Sequence, residues 1–375
     1  TTQTISASGS FIASGDCTDF VFINTIQPGA RAYLSKSGGF AISNIIIKDN
    51  EVTGGGIFQA GNSVDLGNTQ GWVITVPPAR TMYWVGGGGG WSEQSHWALS
   101  SGGVGENCVP TPSDNVFFDN NSGFGPGNNI VKLNSDMSFC NNITWQVTTS
   151  TPPKFSAEQD RIFYVYGSLS FNAFMTSSND SEIHFMSSNN NNIIDLAGNK
   201  LFRVYFDGTG EWILEGDFTV AGTCGNLSGY CYHRSGTLRT NGYDFNIGCY
   251  FESGSDNLSV LDLGSSTVNI GVNATGGTFN MSGSSNAQLL AGTSSIKMVG
   301  LGNDFIVPAT FIGGGKAYHI VEILNKTLFY GGGTTSFYEA KFLNDTKVFG
   351  DNYYENVTIS PGVTWSLSSN TTQTI

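Results

Sequence analysis

Charge is scarce in this sequence. Only 12% of its 375 residues are charged, and 16 Lys and Arg stand against 29 Asp and Glu. Neutralising nucleic-acid phosphates needs clustered cations. The basic residues here are few and scattered, and the net charge is −13, so nucleic acid is excluded as a partner. Alanine is sparse and no long window shows helical periodicity, which argues against a helical fold. No apolar run is long enough to span a membrane, and no signal peptide is visible. The first residues start in mid-pattern, which suggests an excised piece of something longer. The four histidines (His96, His184, His233 and His319) include no pair within four residues, so no short metal-binding pair exists. The six cysteines are spaced by 91, 32, 84, 7 and 18 residues, which matches no zinc site and instead permits disulfides in an oxidising compartment.

Glycine (50 residues), Phe (26) and Tyr (14) are abundant. Short apolar segments are punctuated by Gly, Asn or Ser: Phe20–Ile23, Ile42–Ile47 and Trp72–Ile74, then Ile162–Tyr166, Ile183–Phe185, Phe202–Phe206, Val260–Leu263, Phe305–Val307 and Trp365–Leu367. Such a pattern fits a β-sandwich or a β-solenoid. Three features favour the solenoid: strands of three to five residues, gaps punctuated almost everywhere, and a recurring corner. That corner reads Asp65-Leu-Gly67, Asp262-Leu-Gly264 and, as a variant, Asp195-Leu-Ala-Gly198. The expected fold is therefore all-β, a right-handed parallel β-helix with coils of roughly 20–25 residues and strands about 4.8 Å apart. The run Asn189–Asn192 reads equally as a stacked amide corner or an exposed loop.

The stretch from Tyr83 to Asp119 organises the chain. It holds Trp84, five glycines (Gly86–Gly90), Trp91, His96 and Trp97, then Cys108, Pro110, Pro112 and the apolar Val116-Phe-Phe118. Three tryptophans within fourteen positions can bury a large apolar area at one place. We read it as an N-terminal cap built on Trp84, Trp91 and Trp97; the alternative is an ordinary Gly-rich loop. Val76-Pro-Pro-Ala-Arg80 marks a boundary, since its two prolines can neither pair in a ladder nor continue a strand. This divides the chain into residues 1–80, the cap at 81–119 and a solenoid body at 120–375.

The motif W-x-G-G-x-G-x-W-S-x-x-x-H-W … P-T-x-x-D-N-V-x-F-D resembles the segment that opens repeat units in giant surface adhesins of Bacteroidetes, the repetitive gliding-motility adhesin of flavobacteria above all. Trp84, Gly87, Gly89, Trp91, Ser92, His96, Trp97, Pro110, Asp114, Val116 and Asp119 carry the match, and the texture of Gly236–Gly242 and Leu261–Val268 agrees with it. The resemblance implies an exported, surface-displayed, non-catalytic repeat unit, of the kind that leaves by type IX secretion. It does not identify a ligand. The pentapeptide Thr-Thr-Gln-Thr-Ile occurs at 1–5 and again at 371–375. This suggests a tandem array with a period of 370 residues, in which residues 1–75 are the closing coils of a preceding unit and tandem copies are the partners.

Candidate chemistry is thin. No serine sits in a nucleophile elbow, and the glycine run lacks the Lys-Ser/Thr of a phosphate loop. Glu211, Glu215 and Asp217 bracket Trp212 as the best local arrangement for sugar chemistry, with Asp16, Asp19 and Asp49 a looser set. Calcium is the metal the side chains would suit, on Asp114, Asp119, Asn120 and Asn121, unless these close a hydrogen-bonded turn. No other cofactor is implied. Among disulfides, Cys108–Cys140 is the first expectation, Cys224–Cys231 the second, and Cys231–Cys249 a stacked alternative one coil apart. The sequons at Asn142, Asn226 and Asn273 are expected from composition alone. The expected function is an adhesive repeat of a long extracellular cell-surface filament, attaching to surfaces or polysaccharide. The alternatives are a carbohydrate-active β-helix enzyme, hydrolase or lyase, and a trimeric phage-fibre-like protein.

Overall fold

The computed structural model describes every residue except Thr1, Pro28, 158–159, 179–180, 226–227, Asp256, 302–307 and Gly333. The expected strand at Phe305–Val307 and the sequon at Asn226 lie outside the described residues. The chain is all-β; its single short helical turn among the described residues is Gln94–His96.

From Thr81 onward the chain visits a few long sheets in rotation. One has ten strands, one eleven, one eight and one four, and neighbours in each come from successive passes of the chain. Among the described residues, strands pair in parallel except where Tyr83–Trp84 meets Trp97–Ala98, and one isolated antiparallel bridge joins Gly125 to Asn128. Successive passes are in register but unequal in length: Ile312 lies opposite Tyr330, while Asn280 lies opposite Ile312. The sequence expectation of 20–25 residues per pass was too regular, because the loops absorb the difference.

Alternation explains the strands. In Glu182–Phe185, Arg203–Phe206 and Tyr230–His233 every second side chain is buried, as a sheet with one covered face requires. Parallel register then sets like upon like: Phe251, Phe279, Phe311 and Phe329 form one buried column with ring centroids 4.8–5.5 Å apart. A single apolar core runs from Met82 to Tyr354. The Asp-Leu-Gly corners have a common mechanism. Asp65, Asp195 and Asp262 each accept a hydrogen bond from the backbone N–H two residues on. The intervening Leu66, Leu196 and Leu263 point inward, and the next residue takes a positive φ, as at Gly67 (+97°) and Ala197 (+46°).

Residues 2–74 form three further parallel sheets of three strands each. Among the described residues none of their strands pairs with a strand beyond Thr81. They lie alongside the longer stack. Ile46, Val64 and Leu66 pack on Phe139 and Tyr164, and a disulfide joins Cys17 to Cys108.

The disulfide expectations are corrected. Cys108 bonds Cys17, not Cys140, and Cys224 bonds Cys249, not Cys231. Cys140 and Cys231 are free and buried. The reason is facing. Cys140 lies opposite Val165, and Cys231 lies between Val204 and Phe251, both thiols inside the core. Cys231 and Cys249 cannot stack, because one pass here runs from Tyr230 to Tyr250.

Candidate functional site

At the start of the long stack, Trp84, Trp91 and Trp97 are buried to 1% exposure or less. Trp97 meets both other indoles edge-on, at 5.0 and 4.8 Å, and Trp91 abuts Phe163. The indole N–H of Trp84 donates to Gly87 O, and that of Trp97 donates to Trp91 O. His96 stacks flat on Trp84 at 4.5 Å, and its Nδ1–H donates to Val85 O. Glycine is required beneath it, since a Cβ on Gly89 would collide with the imidazole. The antiparallel Trp97–Ala98 strand covers the first edge of the ten-stranded sheet, which prevents further pairing there.

The calcium candidates do not converge. Asp114 is fully buried, and both of its oxygens are taken by Arg80, by the Arg80 backbone and by Thr111, at 2.7–2.9 Å. It locks the entry strand instead. Asp119 closes its own turn onto Asn121 N, and Asn120 reaches across to Thr148. Trp212 is wholly buried in the core and offers no sugar platform. Glu211 points outward and, with Asp262, binds Arg239. Asp16 satisfies donors of its own loop at Thr18 and Asp19, whereas Asp49 ties neighbouring passes together, accepting from the Gly29 N–H and the Asn68 amide. Asn142 has both ends of its amide engaged, with Asn115 and Ser168. Asn192 is a buried corner bonded to Asn189 and Glu211. The amide ladder lies elsewhere, where Asn269 donates to Asn246 at 2.8 Å.

The most developed surface is one that sequence reading missed. On the outer face of the eleven-stranded sheet, register brings Phe139, Tyr164, His184, Tyr205 and Tyr232 into one column. Consecutive rings lie 4.4–5.3 Å apart, most nearly parallel. Tyr230 and Tyr250 flank its end. The Arg234 guanidinium lies over the rings of Tyr205 and Tyr232, at 4.5 and 5.2 Å. Phe139 and Tyr164 are covered by the N-terminal stack, so the column reaches solvent at the half-buried Tyr205 and Tyr232, which present ring edges and hydroxyls at the strand spacing.

Beside the column is a charged knot. His184 Nδ1 lies 2.7 Å from Asp207, its Nε2 lies 3.3 Å from Glu182, and Glu182 in turn binds Arg203. Its hydrogen bond with His184, reinforced by Arg203, draws the Glu182 carboxyl down to about 2 against the cost of burial. Burial is the largest single influence on Asp207 and disfavours its charge, but the bond to His184 together with the charges of His184, Arg234 and Lys48 outweighs it and lowers its pKa. Burial likewise opposes charge on His184, and the two carboxylates overcome it and raise its pKa. Burial pushes the Tyr205 hydroxyl up to about 12. Both carboxylates are thus ionised at neutral pH, and neither is a proton donor of the kind glycoside hydrolysis needs. The knot borders a groove of about 480 Å³, walled on its far side by Lys48, Asp65 and Leu66 of the N-terminal stack.

The only prior signal for this surface was the aromatic count. Tyr205 and Tyr232 are adjacent because one pass ends where the next begins, and no local motif encodes that. No family model, no curated protein and no solved structure matches the chain. Two disulfides fit an oxidising environment outside the cytoplasm, and no helix among the described residues is long and apolar enough to cross a membrane.

Proposed function

We propose that the chain is a β-solenoid repeat of an extracellular, cell-surface filament, non-catalytic, whose outer aromatic column attaches to polysaccharide. The observation that carries this reading is the unbroken core from Met82 to Tyr354 under parallel strands in rotation. A stack in which each layer contacts only its neighbours is a spacer that grows by addition. It also displays its outer side chains at a fixed interval. A row of tyrosine hydroxyls with one guanidinium and paired acids is suited to a hydroxyl-rich, extended chain lying along the stack. The adhesin-like motif around Trp84 to Asp119 points the same way.

The competing enzyme reading is weakened by the ionised state of Glu182 and Asp207 and by the burial of Trp212. The test is retention of the intact chain on immobilised neutral and acidic polysaccharides, with the polymer length measured afterwards. Retention should fall about tenfold when Tyr232 and Arg234 are both changed to Ala, on loss of roughly 1–2 kcal/mol of stacking and hydrogen bonding. The polymer should keep its length. Shortened polymer would establish the enzyme instead.

A further inference from the structure

The pentapeptide shared by residues 1–5 and 371–375 is an edge strand in both places. Thr2–Thr4 pairs with Tyr33–Ser35, and Gln373–Thr374 pairs with Asn352–Tyr353. The two pairings use opposite edges of the same sequence. In a β-strand the N–H and C=O of one residue point to one side, and those of the next to the other. Ile5 N–H donates to Ser35 O, so the odd positions face residues 33–35. Thr372 O accepts from Asn352 N, so the second position faces residues 352–353. Thr372 is the counterpart of Thr2. Nothing in one pairing blocks the other.

The covered face agrees as well. Gln3 lies opposite the buried Leu34, and its counterpart Gln373 lies opposite the buried Asn352. A slip of one residue would have turned one of the glutamines outward. Chain order fits too. Val21–Ile23 precedes Ala32–Ser35 just as Trp365–Leu367 precedes Gln373–Thr374, and each of the two earlier strands ends its own sheet. Trp365 packs on the core of its stack, and Val21 and Ile23 pack on theirs, leaving Ser366 and Phe22 outward.

We infer that a second copy of this chain, in series, continues the stack, with Thr-Thr-Gln-Thr-Ile as one strand shared between Asn352–Tyr353 of one copy and Tyr33–Ser35 of the next. The next copy's Val21–Ile23 then lies on Trp365–Leu367. The inner column across the joint reads Thr335, Asn352, Gln, Leu34, Val52. Each copy's residues 6–74 close the stack of its predecessor and lie beside the start of their own, where the Cys17–Cys108 disulfide locks the two stacks. The inference rests on the stacked-strand part of the proposed function and not on what the aromatic column binds.

The experiment joins residues 1–370 to a complete second copy, with Ser366→Cys in the first and Phe22→Cys in the second. The two new thiols should bond on mild oxidation, as found by mass mapping of unreduced peptides. The unsubstituted two-copy chain should scatter X-rays as one stiff particle with about twice the maximum dimension of the single chain. Free thiols at 366 and 22, together with scattering from two hinged bodies, would overturn the shared strand. A single chain that is not itself elongated would overturn the stacked reading instead.

Discussion

His184 shows how much one residue's surroundings can add. Asp207 and Glu182 hold it charged, so its folded pKa lies above the roughly 6.5 of an unfolded histidine. The stabilisation is complete below about pH 6.5 and is lost as pH rises through the folded value. Glu182 and Asp207 behave oppositely. Their folded pKa values are depressed, so their contribution is present above about pH 4 and is lost as pH falls, toward about 2 for Glu182. The knot is therefore strongest between about pH 4.5 and 6.5. His184→Gln should cost more stability at pH 5.5 than at pH 8.5, read as the gap in melting temperature between the two proteins. An equal gap at both values would mean that His184 is not charged in the fold. His233, buried and held neutral with its pKa lowered to about 4, opposes this trend but is common to both proteins and cancels from the gap. At the same scale, Trp91→Ala empties a site walled by Trp97, Phe155 and Phe163. It should cost about 3–5 kcal/mol in denaturant unfolding. A cost under about 1 kcal/mol would make the tryptophan cluster ornament rather than core. The tryptophans were legible in the sequence because three large apolar groups so close together have few places to go. For Asp114 the sequence left calcium and a hydrogen-bonded turn open; the bonds to Thr111 close a turn, and the partner Arg80 was not legible because it lies 34 residues earlier and carboxylates beside asparagines look alike whether they hold a cation or a guanidinium.

Among the elements, strands were legible and their neighbours were not. Alternation and turn residues mark Ile183–Phe185 or Trp212–Leu214 locally. Which side chain lies beside Tyr205 depends on the summed length of a loop-rich pass, and those lengths vary. The disulfide errors have the same origin. Cys108 and Cys140 flank strands close in sequence, yet Cys140 faces inward, and the loop carrying Cys108 turns toward the N-terminal stack. Peptide mapping without reduction should recover Cys17–Cys108 and Cys224–Cys249, with Cys140 and Cys231 alkylated only after unfolding. Recovery of a Cys108–Cys140 peptide would detach the N-terminal sheets from the first layers. The Cys17–Cys108 bridge closes a loop of 91 residues. Its reduction should lower stability by several kcal/mol, about 4–5 in the loop-entropy estimate.

At the scale of the molecule, sequence texture foretold an all-β chain of short strands, and the long parallel sheets in rotation follow from stacking like residues on like. The side-by-side placement of residues 2–74 was not foretold, since it depends on a handful of contacts such as Leu66 on Tyr164 and on one bridge. As proposed above, the chain is a stiff, single-chain stack made to be extended. Small-angle X-ray scattering of the intact oxidised chain, with mass from light scattering on the same sample, tests it most directly. One copy per particle and an elongated distance distribution with a constant cross-section are expected. A particle of three copies, or a compact distribution near the roughly 21 Å radius of gyration expected of a globule this long, would contradict it.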